Sequence, residues 1–188
     1  ATIEEILPIL QTRYCVLGFG GNKYGRRVEY FTDSQQAHIA PSLFAPDGTV
    51  WVPEARARGM TMSPLAHPLD QWNSVWVAVL RDLPDPNSAF QWAVETCDQG
   101  PGEPEGKNNI PYEFRNFWWW YRYFKGKRGR PPDTDDRMYC SEQTAKWFIH
   151  GGLEIATNQV TPIECFVWNL YEEDHYQVKV APGHVPLA

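Results

Sequence analysis

No stretch of this 188-residue chain is apolar for long enough to cross a bilayer, which takes about 20 consecutive apolar residues in a helix. The N-terminus, Ala1-Thr2-Ile3-Glu4-Glu5-Ile6-Leu7, lacks the basic start and apolar core of a secretory signal, so the expectation is synthesis in the cytoplasm without a signal, or a signal removed ahead of Ala1. Cysteine is sparse: four residues, Cys15, Cys97, Cys140 and Cys165, with no C-x-x-C pair. That spacing argues against a zinc site, and so few in a chain this long do not make a disulfide framework. Basic charge is also short, with 17 Lys and Arg against 23 Asp and Glu, a net charge of −6. A protein that tracks a nucleic-acid backbone needs the opposite balance. No nucleic-acid partner, no metal or other cofactor and no membrane span are expected.

What is abundant is aromatic: nine Trp, nine Tyr and nine Phe, 14% of the chain, within a 43% hydrophobic composition. This is a globular composition, and the length fits one domain over residues 1–188. The Trp residues pack a core or present an aromatic platform to a glycan, a lipid or a protein.

Local patterns divide the chain. Ile3 to Arg13 reads as a helix, capped by Thr2 with Glu5 at capping-box distance. Gly18-Phe19-Gly20-Gly21-Asn22 lacks the Lys-Ser/Thr ending of a phosphate loop and reads as a tight turn. Strands are expected at Arg27–Phe31, Gln36–Ala40, Thr49–Pro53 after the Asp47-Gly48 turn, Ser74–Leu80, Ile163–Leu170 and Tyr176–Val180. Asn87–Cys97 has helical spacing, and Gly100–Asn109 reads as loop. A dense aromatic block, Tyr112–Phe124, runs into the basic Lys125–Arg130, which reads as a solvated loop or a contact for an anionic polymer. Asp133–Asp136 is expected to cap the next helix, about Tyr139–His150, which stops at Gly151-Gly152. Strands and helices in this order predict an α+β fold, with an antiparallel sheet packed on the helix that begins at Cys140.

Cys140 stands where loop becomes helix. A helix start offers free backbone N–H groups and a partial positive charge, which favour a thiolate nucleophile and an oxyanion formed from an attacked carbonyl. The bland alternative is a small buried hydrophobe. A nucleophilic cysteine needs a base and a group to orient it. His38, on a short strand, and Glu54, at the end of the next, are the candidates, although Glu54 could instead pair with Arg56 or Arg58. His67 precedes a proline, His150 ends a helix, and His175 and His184 lie in polar C-terminal stretches, so each fits less well.

The series Ala37-His38-Ile39-Ala40, Val50-Trp51-Val52-Pro53-Glu54-Ala55 with Gly59-Met60, Pro111-Tyr112-Glu113-Phe114, Tyr139-Cys140-Ser141-Glu142 and Val160-Thr161-Pro162 resembles the circularly permuted NlpC/P60 (YiiX/YebB-like) branch of the papain-like cysteine hydrolases. There the histidine strand precedes the cysteine helix, as here. The resemblance spans about residues 28–170 and implies a papain-like fold. It implies Cys140 as nucleophile, His38 as base, Glu54 as orienting residue, and Tyr112, Tyr139 and Ser141 beside the substrate. It further implies hydrolysis of an amide in a peptidoglycan peptide, or of an acylated lipid. The sequence departs from that pattern at Gln143 and Thr144, and residues 115–132 look like an aromatic-basic insertion. From another class comes a docking module of a phage tail or secretion assembly, with Trp118-Trp119-Trp120 as its interface to a protein partner. Such an assembly is also the expected route to the cell envelope.

Overall fold

The computed structural model describes residues 1–22, 35–56, 59–97, 110, 113, 115–133, 137–166 and 168–180. The expected strand Arg27–Phe31, the loop 100–109, the 111–112 pair with Tyr112, and His184 lie outside them.

Among the described residues the elements run α1 (Ile3–Leu10), β1 (Cys15–Gly20), β2 (His38–Phe44), β3 (Val50–Arg56), β4 (Gly59–Pro64), α2 (Ala66–Gln71), β5 (Ser74–Leu80), α3 (Pro86–Thr96), α4 (Arg115–Phe124), α5 (Cys140–His150), α6 (Pro162–Phe166) and β6 (Tyr171–Lys179). The six strands form one antiparallel sheet in the order β4-β3-β2-β1-β5-β6. The architecture is α+β, as expected. No helix is long and apolar enough to cross a membrane among the described residues.

The sheet is apolar on both faces, and its alternation shows it. Along β1, Val16 joins one core, while Cys15, Leu17 and Phe19 join the other. Along β5, Ala78 and Leu80 face the first and Val75, Val77 and Val79 the second. Period-two alternation in buried strands therefore demands cover on both sides. On the first face lie Ala89 and Ala93 of α3, Trp147 and Phe148 of α5, and Cys165 and Phe166 of α6. On the second lie Ile6 and Leu10 of α1 and Leu69 of α2. Trp147 and Phe148 are fully buried, and each such large side chain stabilises the fold by about 2–3 kcal/mol relative to exposure. Helix α1 starts on the expected reciprocal cap: Thr2 Oγ1 accepts from Glu5 N at 3.3 Å, and Thr2 N donates to Glu5 Oε2 at 2.8 Å.

Several sequence expectations need correction. The glycine-rich segment expected as a tight turn is the central strand β1, and only Gly21, at φ +82°, turns the chain. A side chain at Gly18 would meet the Gln36 amide at 2.9 Å, and one at Gly20 would collide with the Gln35 carbonyl. Glycine is there because neighbouring groups cross close over the strand. The apolar run expected as a strand at Ile163–Leu170 instead opens with helix α6, whose first turn is capped by Glu164 accepting from Thr161 N at 2.7 Å. Nor does Asp133 cap α5. It pairs with Lys146 Nζ at 3.1 Å and accepts from Asn158 at 2.8 Å, and the N-cap of α5 is Tyr139, which makes no side-chain cap bond.

Candidate active site

β2 and β3 pair at Leu43–Trp51 and Phe44–Val50 and, among the described residues, at no further register position. Carrying that register two residues on would set Pro41 against Pro53. Neither can donate a ladder hydrogen bond, so the two strands part there. Helix α5 packs against both strands. The parted strands carry His38 and Glu54, and the helix brings Cys140 as its first residue.

His38 is held from two sides. Its Nε2 lies 3.1 Å from Glu54 Oε2, and the ring also interacts electrostatically with the Cys140 side chain. With Nε2 engaged by Glu54, Nδ1 is the nitrogen left for sulfur. Burial works against a charged ring, but its interactions with Cys140 and Glu54 overrule it and raise the His38 pKa to about 9. The protonated form of His38 is thereby favoured beside the Cys140 sulfur. Cys140 and His38 are 4% and 7% exposed, so their interaction is screened little by water.

Glu54 is itself bound on both oxygens. Oε1 accepts from Arg56 Nη2 and, at 3.2 Å, from Ser63 Oγ on the neighbouring strand β4. Burial alone would raise the carboxyl, yet the hydrogen bond and charge of His38, with Arg56 behind them, hold it below the usual carboxylate value. Arg56 reaches further, to His67 Nε2 on α2. Trp72, just after α2, lies parallel to the His38 ring, and Phe19 tilts against its side at 5.7 Å between centroids.

The α5 start is uncapped by any side chain of its N-cap residue. Its first intrahelical bond runs from Gln143 N to Tyr139 O at 2.9 Å, so the N–H groups of Cys140, Ser141 and Glu142 have no carbonyl within the helix. They point along the helix axis from its positive end, as an oxyanion on a carbonyl attacked by Cys140 requires.

Of the residues assigned to substrate contact, Ser141 is fully buried and its hydroxyl donates to the Val160 carbonyl. Tyr139 is 5% exposed, donates to Gln159 Oε1 at 3.2 Å and meets the Trp120 ring edge-on. The structure brings Cys140, His38 and Glu54 together, and it places Tyr139 and Ser141 as braces of the helix start. Arg56, Ser63 and Trp72 were not singled out from sequence as site residues. Arg56 carried a signal, because two residues beyond Glu54 on a strand is the same face. Ser63 and Trp72 carried none, since their places depend on how β4 and α2 fold back.

The other cysteines lie elsewhere. Burial pushes the Cys15 thiol up to about 12 and that of Cys165 well above its ordinary value, and Cys97 is fully buried. No group of three or more His, Cys, Asp or Glu among the described residues could hold a metal ion. No family model matches the chain, and no curated protein does.

Proposed function

We propose that this protein is a cysteine hydrolase of the papain-like, permuted NlpC/P60 kind that cuts an amide bond in a bacterial cell-wall peptide. The observation that carries the reading is His38 held between Cys140, at an uncapped helix start, and a carboxylate bound on its far side. Cys140 sulfur attacks the carbonyl carbon, and the oxyanion is taken by the N–H groups at the α5 start. The His38 proton passes to the departing amine as the C–N bond breaks and a thioester remains. Neutral His38 then takes a proton from water, whose oxygen attacks the thioester, and keeps it as the C–S bond breaks, so that the acid leaves and the thiolate and protonated His38 are restored. Glu54 fixes the ring and stabilises its charge without itself taking the proton.

The cell-wall substrate follows from the sequence resemblance. A second substrate, an acylated lipid cleaved by the same steps, is favoured by the exposed aromatic-basic face of α4 and the loop that follows it.

The test is release of new amino groups from purified sacculi and of acyl chains from lipid vesicles, with Cys140→Ala and His38→Ala beside the parent. Both variants should stay folded and lose all turnover. Turnover that survives Cys140→Ala would remove the proposal.

A further inference from the structure

The segment from Arg115 to Arg130 is built differently from the rest of the chain. Within a protein of net charge −6, Arg122 to Arg130 holds five cations and no acid. The aromatic block is not one surface. Trp120 is 5% exposed and faces inward onto Tyr139, whereas Trp118 is 65% and Phe124 46% exposed. Trp118, Tyr121 and Lys125 recur at helical spacing on the outer side of α4, with Trp118 stacked on Tyr121 at 5.5 Å and the Lys125 ammonium 5.8 Å from the Tyr121 ring. Phe124 stacks on Trp120, with centroids 5.8 Å apart, and stays half-exposed at the edge of the helix between its inner and outer sides.

The loop after the helix is held in shape. Trp119 Nε1 donates to Gly129 O at 3.1 Å, and the Arg128 guanidinium lies 4.7 Å from the Trp119 ring. Arg130 is committed inward, to Gln159 O at 2.6 Å and to Glu164. Lys125, Lys127 and Arg128 are exposed, and none of them meets a carboxylate among the described residues.

This combination selects its partner. The three side chains offer hydrogen-bond donors and no acceptors, which suits phosphate or carboxylate and not the mixed hydroxyls of a neutral sugar. Three cations on an acidic chain are too few to follow a nucleic-acid backbone. Exposed Trp and Phe beside Lys and Arg are the composition of a bilayer interface, where rings enter the headgroup–acyl boundary and cations stay with the phosphates. We propose that the outer side of α4 and the 125–128 turn dock the protein on an anionic phospholipid bilayer. Trp118 and Phe124 enter the boundary, and Lys125, Lys127 and Arg128 meet the lipid phosphates. Docking is independent of the catalytic reading. It sets the membrane beside Cys140, because Trp120 on the inner side of the same helix packs on Tyr139, the residue before it.

The experiment is sedimentation of the full chain carrying Cys140→Ala with vesicles of phosphatidylcholine alone, or of phosphatidylcholine with phosphatidylglycerol. Binding should require phosphatidylglycerol and weaken as salt rises. Lys125→Ala with Lys127→Ala should weaken it about thirtyfold, at roughly a fivefold loss per basic residue near the surface. Trp118→Ser, which leaves every charge in place, should weaken it as well. Circular dichroism and thermal melting of each variant should match the parent. Absence of binding to anionic vesicles at low salt overturns the proposal, as does binding that ignores both replacements. Binding to polyglutamate or to sacculi without binding to vesicles overturns it too, by assigning the face to a soluble or wall polymer.

Discussion

The His38 imidazole lies flat on the Trp72 indole, with the ring planes 4° apart and the centroids separated by 5.6 Å. An indole face is negative, so it stabilises the imidazolium more than the neutral ring, by about 0.5–2 kcal/mol depending on how dry the contact is. The same ring shields one side of the imidazole from water. Trp72→Leu should weaken proton binding at His38, whose pKa is about 9, by up to roughly thirtyfold, and Trp72→Phe by less. NMR titration of the His38 Cε1 proton reads this directly. An unchanged midpoint in Trp72→Leu would show that Cys140 and Glu54 fix the charge alone.

Cys140 should be the one cysteine of the four alkylated within a brief iodoacetamide pulse near neutral pH. It sits beside an imidazole whose protonated form is favoured and keeps 4% exposure, whereas Cys15, Cys97 and Cys165 have none. The thiolate is the reacting form, and burial holds Cys15 at about 12 and Cys165 well above its ordinary value. Mass mapping of the labelled peptides checks this, and labelling of Cys97 or Cys165 at the Cys140 rate would count against it.

Sequence reasoning expects Glu54→Gln to keep a fraction of activity, because an orienting residue does not carry the proton. The structure makes that substitution harsher. Arg56 Nη2 and Ser63 Oγ both donate to Oε1, so an amide at position 54 turns its oxygen to them and its NH2 to His38. His38 must then put a lone pair on Nε2 and its proton on Nδ1, the reverse of what a base beside Cys140 needs. The expected loss in kcat is on the order of ten-thousandfold, the scale seen when an amide reverses the tautomer of a catalytic histidine. Removing the Arg56 donor in Glu54→Gln/Arg56→Met should recover part of that loss, since the amide is then freer to turn. A double variant no better than the single would show that Ser63 holds the amide or that charge alone matters.

The residues that converge on the candidate site were legible because each piece is local. A cysteine at a loop-to-helix transition, a histidine on a short strand and a carboxylate just past Pro53 are all patterns within a few residues. The paired prolines that part β2 from β3 were equally visible, but their meaning depends on register, which the sequence does not state. β1 was misread because glycine is common in turns, and nothing local says that the Gln36 amide and the Gln35 carbonyl cross Gly18 and Gly20. The run at Ile163–Leu170 shows the known ambiguity of short apolar segments, settled here by the Thr161–Glu164 cap. β4 and α2, which supply Ser63, His67 and Trp72, have weak period signals and went unassigned.

Glu142, three residues into α5, gives the fold a pH dependence of known sign. Its carboxyl is fully buried, and burial, then the nearby Asp133 carboxylate, raise its pKa from 4.5 to about 8 against the pull of Lys146. A group whose folded pKa is raised favours the fold fully below its unfolded pKa and loses that favour as pH climbs through the folded value. Glu142 should therefore cost stability progressively between about 4.5 and 8. His38 acts in the same direction over a later window, from its unfolded value near 6.5 to about 9. Glu54, with its pKa lowered, acts oppositely and is lost only as pH falls through its folded value. Glu142→Gln separates these contributions. The amide oxygen can still accept from Gln159 Nε2, the bond now made to Oε1 at 3.2 Å, and the side chain no longer titrates. Relative to the parent, Glu142→Gln should gain stability from pH 5 upward, reaching on the order of a few kcal/mol by pH 8, because each tenfold difference in proton affinity between folded and unfolded chain is worth about 1.4 kcal/mol. Urea unfolding at a series of pH values measures it. A Glu142→Gln curve parallel to the parent's across that range would mean that Glu142 is ionised in the folded protein and that Lys146 outweighs its burial.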